Sequence, residues 1–450
     1  TYIYALLCQY WIKKGYQVLW MVPEIGITPQ LLQEVCAIFS GTEVVSYHSG
    51  LSERERYHAW LDIVSAKAKI VIGTRSSVFL PLPKLGMIIV DEEHDTSYKQ
   101  QTSLRYSARG VACLRAKSEA IPVILGSATP SLTCLAHAKR TDKYFHKLES
   151  RFSGIELPKI KFVDMNKKVS AVGLSRDVLS DIAKSLAAKQ QVLIFINRRG
   201  YAPCWWCQKC ESIYLCQGCD RPVTYHHTKN ILACHRCDIQ YKTDSACPSC
   251  GANDSIPLGV GTEKLSHYLE EQFATVNIVQ VDRDTCSSWP KLKATIKQLH
   301  SNEPQIIVAT QMLVKSHHIA NLQRVVVVDA DYALLSKDFK ALEHLHQQMH
   351  QVIGRAGRED IQGEVNIQTA YPDHPIWSFI KSHNYLDAAN YLLEERMRAD
   401  LPPFSYQALF SLRHTCEKKA KQYVTQLWKT LTNKGLDSIC YKPMPAQYTK

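Results

Sequence analysis

The chain has 450 residues, too many for one domain and enough for about three. Its 45% hydrophobic and 21% charged residues are ordinary for a globular protein, and no apolar run approaches the length of a membrane span. The formal charge of +12 and a pI near 8.9 point to a polyanionic partner, with plain solubility as the bland alternative. Sixteen cysteines could mean disulfides, but nine of them crowd into 204–250, which favours metal in a reducing compartment.

The apolar opening, 1–12, lacks the basic flank and small-residue cleavage site of a signal peptide and reads as a helix ending near Lys13-Lys14-Gly15. It begins without Met and inside a helical pattern, as a fragment would. Through residue 150, short apolar runs at 18–22, 70–72, 85–90 and 122–125 alternate with helical spacing such as 28–39 and 52–66. That alternation predicts a parallel sheet covered on both faces. The runs end in polar or glycine-bearing turns: Pro23-Glu24-Ile25-Gly26, Gly73-Thr74-Arg75, Asp91-Glu92-Glu93-His94 and Gly126-Ser127-Ala128-Thr129-Pro130. Parallel strands would gather these four turns on one edge, where an open α/β sheet binds its ligand.

A Pro- and Lys-bearing connection, 157–168, leads to a second set of strand-like runs at 192–196, 278–281, 306–308, 325–328 and 365–367, suited to another parallel sheet. The cysteine cluster interrupts this set without strand signals of its own and reads as an inserted module. From 375 the chain turns helical, then loses its pattern after Leu401-Pro402-Pro403. The division is therefore 1–150, a first lobe; 151–203 and 255–374, two parts of a second; 204–254, the insertion; and 375–450, a partial C-terminal domain.

Three constellations carry chemistry. Asp91 directly after a buried strand can hold a phosphate-bound Mg²⁺, and Glu92 can orient or deprotonate a water; an acidic helix cap is the alternative. In Gln351-Val352-Ile353-Gly354-Arg355-Ala356-Gly357-Arg358, two guanidiniums stand three residues apart beside glycines, suited to a γ-phosphate. Alone such a string is a surface loop; opposite an acidic strand end it completes a nucleotide site. The pairs Cys207/Cys210, Cys216/Cys219, Cys234/Cys237 and Cys247/Cys250 each bring two thiolates to one metal. The spacing favours nesting, the inner two pairs on one zinc and the outer two on another, over an alternating cross-brace. Eight thiolates and two Zn²⁺ would lower the charge from +12 to about +8. Closed sites of this kind build a surface; they do not catalyse. Tyr214, Tyr225, His226 and His227, interleaved with Lys209, Arg221 and Lys229, suit unpaired bases or a protein partner, while Trp205 and Trp206 read as core. Cys204 is the unpaired ninth and reads as structural.

These motifs, with Gly126 to Pro130, Ile196-Asn197-Arg198-Arg199-Gly200-Tyr201-Ala202-Pro203, Val22 to Gln30 and Gly259-Val260-Gly261-Thr262-Glu263, resemble the superfamily-two helicases and, among them, the primosomal protein N′ family of bacterial replication-restart helicases. The resemblance spans the chain. It implies an α/β fold of two RecA-like parallel-sheet lobes, a two-zinc insertion in the second lobe and a partial C-terminal domain. By resemblance, Asp91 coordinates Mg²⁺, Glu92 positions the water, Arg355 and Arg358 contact the γ-phosphate with Gln351 nearby, and Ser127 and Thr129 couple hydrolysis to lobe movement. Thr1 falls on the Thr of the family's Gly-Lys-Thr phosphate loop, and the zinc pairing is nested. The family's aromatic-rich loop, linking DNA contact to hydrolysis, matches Tyr98, Lys99, Arg105 and Tyr106, with Leu104 where a Trp is usual. Ser316 stands where the family prefers Gly.

The implied cofactors are ATP, Mg²⁺ and two Zn²⁺. The implied activity is 3′→5′ helicase action that recognises stalled or abandoned forks and initiates primosome assembly. Partners would be single-stranded and forked DNA, single-stranded-DNA-binding protein and other primosome proteins, with no membrane. The protein would be a cytoplasmic, nucleoid-associated monomer. Because the phosphate loop's glycines and lysine would lie before residue 1, as would the family's N-terminal DNA-binding domains, this stretch by itself is expected to turn over little ATP. That keeps a non-enzymatic fork-binding assembly module as the rival reading. A two-metal nuclease built on Asp91 and Glu92 is a third, in which the arginine pair would have no purpose.

Overall fold

The computed structural model describes the chain apart from residues 1, 24–27, 103, 141–144, 149–155, 166–172, 197–203, 211, 219–222, 227–229, 235–238, 259–261, 283–284, 286–288, 300, 302, 311–318, 320, 329, 337, 358–360, 413, 437–439 and 444–450. Two compact units result, Thr1–Glu395 and Arg396–Lys450. The second holds the helix Glu417–Leu431. Among the described residues, no helix is long and apolar enough to cross a membrane.

The first sheet comprises β1 (Gln17–Met21), β2 (Val44–Tyr47), β3 (Ile70–Gly73), β4 (Leu85–Val90) and β5 (Val123–Leu125) in the order β2-β3-β1-β4-β5, all parallel. Every residue of β1, β3 and β4 is buried, because helices cover both faces. Alternation sorts the side chains. Leu19, Met21, Ile88 and Val90 pack with Ile63, Ala108, Ala112 and Ala116; Val18, Trp20, Met87 and Ile89 pack with Ala5, Cys8, Leu31 and Val35. The carboxyl ends share one edge, with Val22 N–H donating to Gly73 O (2.9 Å), Asp91 N–H to Met21 O (3.0 Å) and Gly126 N–H to Val90 O (2.9 Å). The edge strand β2, only half-buried, shows no continuous apolar run and was not expected from the sequence.

Beyond it lie β6 (Lys159–Asp164), β7 (Gln191–Ile196) and a five-strand antiparallel sheet: β8 (Cys204–Cys207), β9 (Thr224–His226), β10 (Ile231–Ala233), β11 (Gln240–Lys242) and β12 (Ser255–Leu258). This corrects the expectation of a cysteine cluster without strands. Elements of three or four residues are too short to display a period. Then follow β13 (Asn277–Val281), β14 (Gln305–Ala309), β15 (Leu322–Val328) and β16 (Glu364–Thr369). They join β7 and β6 in a parallel sheet of order β13-β14-β7-β15-β16-β6. β6 overturns the reading of 157–168 as plain connection. It is an edge strand with alternating exposure, so it carries no apolar run.

The helix Ala341–Ile353 packs Leu345, Met349 and Val352 on one face of this second sheet, against Leu193, Phe195, Val325 and Val327. Trp377 joins the same core. We expect Ile89→Ala, at a fully buried central position of the first sheet, to destabilise that lobe by about 2–5 kcal/mol in urea unfolding. A loss under about 1 kcal/mol would contradict a close-packed interior there.

Candidate functional site

The turn after β4 is held from three sides. Tyr4, on the helix Tyr2–Lys13, donates its hydroxyl to Asp91 Oδ1 at 3.1 Å, and the Glu92 N–H donates to the same oxygen at 3.1 Å. Burial pushes the Asp91 carboxyl above the usual carboxylate range, against the pull of those two hydrogen bonds. Burial, with the Asp91 charge beside it, pushes the Tyr4 hydroxyl far up, so it stays a donor. Gly126 makes the room: a Cβ there would lie 1.6 Å from the Tyr4 oxygen.

Glu92 has φ of 48°, a left-handed conformation uncommon for a residue with a side chain. Its Oε2 lies 3.5 Å from His94 Nδ1 and 3.5 Å from Gln351 Nε2. Gln351 Nε2 is also 2.9 Å from His94 Nε2. An amide nitrogen only donates, so His94 Nε2 accepts and the ring proton sits on Nδ1, facing Ser127 Oγ at 2.7 Å. Ser127 Oγ in turn accepts the Thr129 N–H at 2.9 Å. Glu93 is only 2% exposed; its carboxylate accepts Arg109 Nη1 at 2.6 Å, Ser131 N–H at 2.6 Å and Ser131 Oγ at 3.0 Å. It ties the acidic turn to the loop after β5.

Gln351 belongs to the second sheet's helix Ala341–Ile353, so these contacts cross between lobes. Glu343 and Gln347 stand on the same helical face at spacings of four. Glu343 Oε1 accepts the Leu132 N–H at 2.9 Å, and Gln347 Nε2 donates to Thr129 O at 3.4 Å. On the adjoining face His346 Nε2 meets His350 Nε2 at 2.9 Å, and His346 stacks on Tyr385 with ring centroids 4.8 Å apart. The Tyr385 hydroxyl donates to Pro130 O at 2.7 Å. An apolar patch completes the seam: Leu132, Leu135 and Ala136 against Ala389, Leu392 and Leu393.

Arg355 follows this helix just past its cap, Gly354, and is half-buried. Gly357 next to it has φ of 71°, and a Cβ there would lie 2.2 Å from Gly363 N, so only glycine fits. Tyr98 is buried and donates to Asp91 O at 2.7 Å, which connects the loop 98–106 to the acidic turn from inside and leaves its ring unable to meet a strand. Tyr106 packs edge-on against Phe79 at 4.9 Å, while Lys99, Leu104 and Arg105 are exposed.

The Sγ atoms of Cys207, Cys210, Cys247 and Cys250 all lie within 4.8 Å of one another, with Cys207–Cys250 at 3.6 Å and Cys210–Cys247 at 3.7 Å. Zn–S bonds of about 2.3 Å in a tetrahedron require sulfurs about 3.8 Å apart, so this donor set is compatible with zinc. Pairing of β8 with β12 brings the two Cys-x-x-Cys turns together. Cys216 and Cys234 are buried in one small core with Trp205, and Trp206 is buried too. Thr1, Cys219, Cys237, Ser316, Arg358 and the stretches 24–27, 197–203 and 259–261 lie outside the described residues.

Sequence reasoning missed Tyr4, Glu343 and Gln347. Tyr4 had no signal, being one of three tyrosines in its helix. The spacing of Glu343, Gln347 and Gln351 was visible, but a polar stripe on a helix ordinarily faces water.

Two parallel sheets, joined by side chains that run from one strand's carboxyl end to a helix of the other, form a two-lobed α/β core; a DEAD/DEAH box helicase model matches residues 1–136. More particularly, relatives at 33–39% identity over most of the chain are all replication restart proteins PriA, which bears out the likeness to the primosomal protein N′ family. The PriA of Haemophilus influenzae is 39% identical over 452 positions, covering 100% of this chain and 62% of that protein. For the PriA of Bacillus subtilis the figures are 33% over 428 positions, 94% and 53%. The chain thus spans between about half and two thirds of these relatives' length. A structure of RecG bound to a three-way DNA junction overlays with TM-score 0.48 at 14% identity, covering 86% of this chain and 41% of that one.

Burial pushes the His346 imidazole down to about 3, with the His350 charge adding to the shift. The folded state therefore holds His346 neutral where an unfolded chain would protonate it. Stability from this site is complete above the unfolded pKa of about 6.5 and is lost as pH falls towards the folded value. Unfolding followed from pH 7 to pH 4 should show this slope, up to about 1.4 kcal/mol per pH unit, and His346→Phe should flatten it. An unchanged slope in the variant would show that His346 is not its source.

Proposed function

We propose that this chain is the motor core of an ATP-dependent 3′→5′ DNA helicase that recognises stalled or abandoned replication forks and initiates primosome assembly. The observation that carries the reading is Gln351 reaching Glu92 and His94 from the other lobe, which lets a nucleotide-dependent change at one lobe be felt by the second. The oxygen donors at the end of β4 suit a hard cation, so Asp91 would hold Mg²⁺, which neutralises phosphate charge when bound. Glu92 orients and deprotonates the attacking water, with Gln351 beside it. Arg355 and Arg358 stabilise charge on the γ-phosphate, and Thr1 belongs to the phosphate loop. Ser127 and Thr129, joined to His94 and Gln347, convert the change into lobe movement.

Strand contact is by Lys99, Arg105 and Tyr106, with Tyr98 as the internal link to Asp91. Contacts are mainly to phosphates, hence salt-dependent and of little sequence preference. Cys207, Cys210, Cys247 and Cys250 hold one structural zinc, and Cys216, Cys219, Cys234 and Cys237 the other. The division into 1–150, 151–203 with 255–374, 204–254 and 375–450 stands as part of this reading. So do single-stranded-DNA-binding protein and other primosome components as partners, and a cytoplasmic, nucleoid-associated monomer.

In the full-length protein, DNA-stimulated ATP turnover should fall at least about 100-fold in Glu92→Gln with ATP binding retained, and Arg355→Ala should slow turnover much more than it weakens binding. Fork binding with no ATP turnover in the unmutated protein would replace the motor by a non-enzymatic assembly module. Elemental analysis should find two zinc per chain; one or none would overturn the nested assignment.

A further inference from the structure

A cavity of about 400 Å³ opens between the carboxyl end of β2, the helix Glu53–Val64 and the short turn Arg75–Phe79. None of the residues lining it belongs to the acidic turn or the interlobe seam. Its size lies within the range of small-ligand pockets. Three aromatic rings line it: Tyr47, and Trp60 and Phe79 at 39% and 56% exposure, an uncommon degree for such large apolar surfaces. Arg56 lines it as well, and its guanidinium makes no hydrogen bond or ion pair among the described residues. No lining residue is acidic; the nearby Glu55 is engaged by Ser52, whose N–H and Oγ reach it at 2.8 and 2.7 Å.

His48 lines the cavity at only 9% exposure. Its Nδ1 has almost no accessible surface and no hydrogen-bond partner among the described residues, so that atom faces the protein and not the cavity. Burial lowers the pKa of His48 and favours the neutral ring, which both donates and accepts. Flat rings, a guanidinium without a partner, a neutral imidazole and the hydroxyl of Ser76 together match one nucleotide: a π face, a phosphate and a base edge.

The wall is also continuous with the loop assigned above to strand contact. Phe79 packs on Tyr106, and Arg75, in the same turn as Phe79, donates to Ser97 O at 3.1 Å and Lys99 O at 3.4 Å. We propose that this cavity takes one unstacked nucleobase of the bound single strand, its face against Trp60 and Phe79, its edge toward His48 and Ser76, and the adjoining phosphate on Arg56. The inference rests on the DNA-binding reading and adds a base-dependent contact to a surface otherwise directed at phosphates.

Anisotropy titrations of the full-length protein with a labelled single strand, and with a strand of equal length and charge bearing abasic residues, separate the two readings. The unmutated protein should bind the base-bearing strand about tenfold more tightly. Trp60→Ala should erase that preference and bind both strands at the abasic level, while Trp60→Phe should retain it, which shows that loss of the ring and not of the fold is responsible. Equal binding of both strands by the unmutated protein, or a full preference kept in Trp60→Ala, would overturn the base pocket while leaving strand binding intact. Binding to neither strand would remove the DNA-binding reading, and the pocket with it.

Discussion

The two lobes depend on a polar stripe of one helix. Glu343, Gln347 and Gln351, one turn apart, meet in order the start of the helix Leu132–Arg140, the Thr129 carbonyl and the His94–Glu92 pair. Each contact is a hydrogen bond to the segment that follows a strand of the first sheet, so the register of the helix sets all three together. Such bonds are individually modest, because water can replace them when the lobes part.

The acidic turn is prepared for this by its own lobe. Glu93 is engaged by Arg109 and Ser131, which fixes the backbone and leaves the Asp91 and Glu92 carboxylates next to a buried anchor. Tyr4 and Tyr98 hold Asp91 at its side chain and at its carbonyl, so the opening helix and the loop 98–106 both report to the same residue. The strained Glu92 then stands between Asp91 and His94, with its carboxylate within 3.5 Å of the opposing glutamine. Metal-compatible cysteines sit in a separate antiparallel sheet, where short strands bring two turns together and bury Trp205 and Trp206, which the sequence reads as core.

Residues with strong local signatures could be read without coordinates. Runs such as Met87-Ile88-Ile89-Val90 are apolar throughout because both faces of a parallel strand are covered, and the polar residues after them must fall at the strand's end. Cys-x-x-Cys spacing follows from the reach of two thiolates to one metal. The edge strands β2 and β6 escaped notice because half of each faces water, and the small antiparallel sheet because its strands are too short to show a period.

What tertiary structure alone decided is which polar residues meet. Gln351 and Glu92 are separated by 259 positions, and no local propensity encodes a contact over that distance. The same holds for Tyr4 on Asp91, 87 positions away, and for His48 lining one cavity with Trp60 and Phe79. Periodicity reports which face of an element is buried. The partner on that face is fixed only when both lobes have closed their cores and brought distant loops within hydrogen-bond reach.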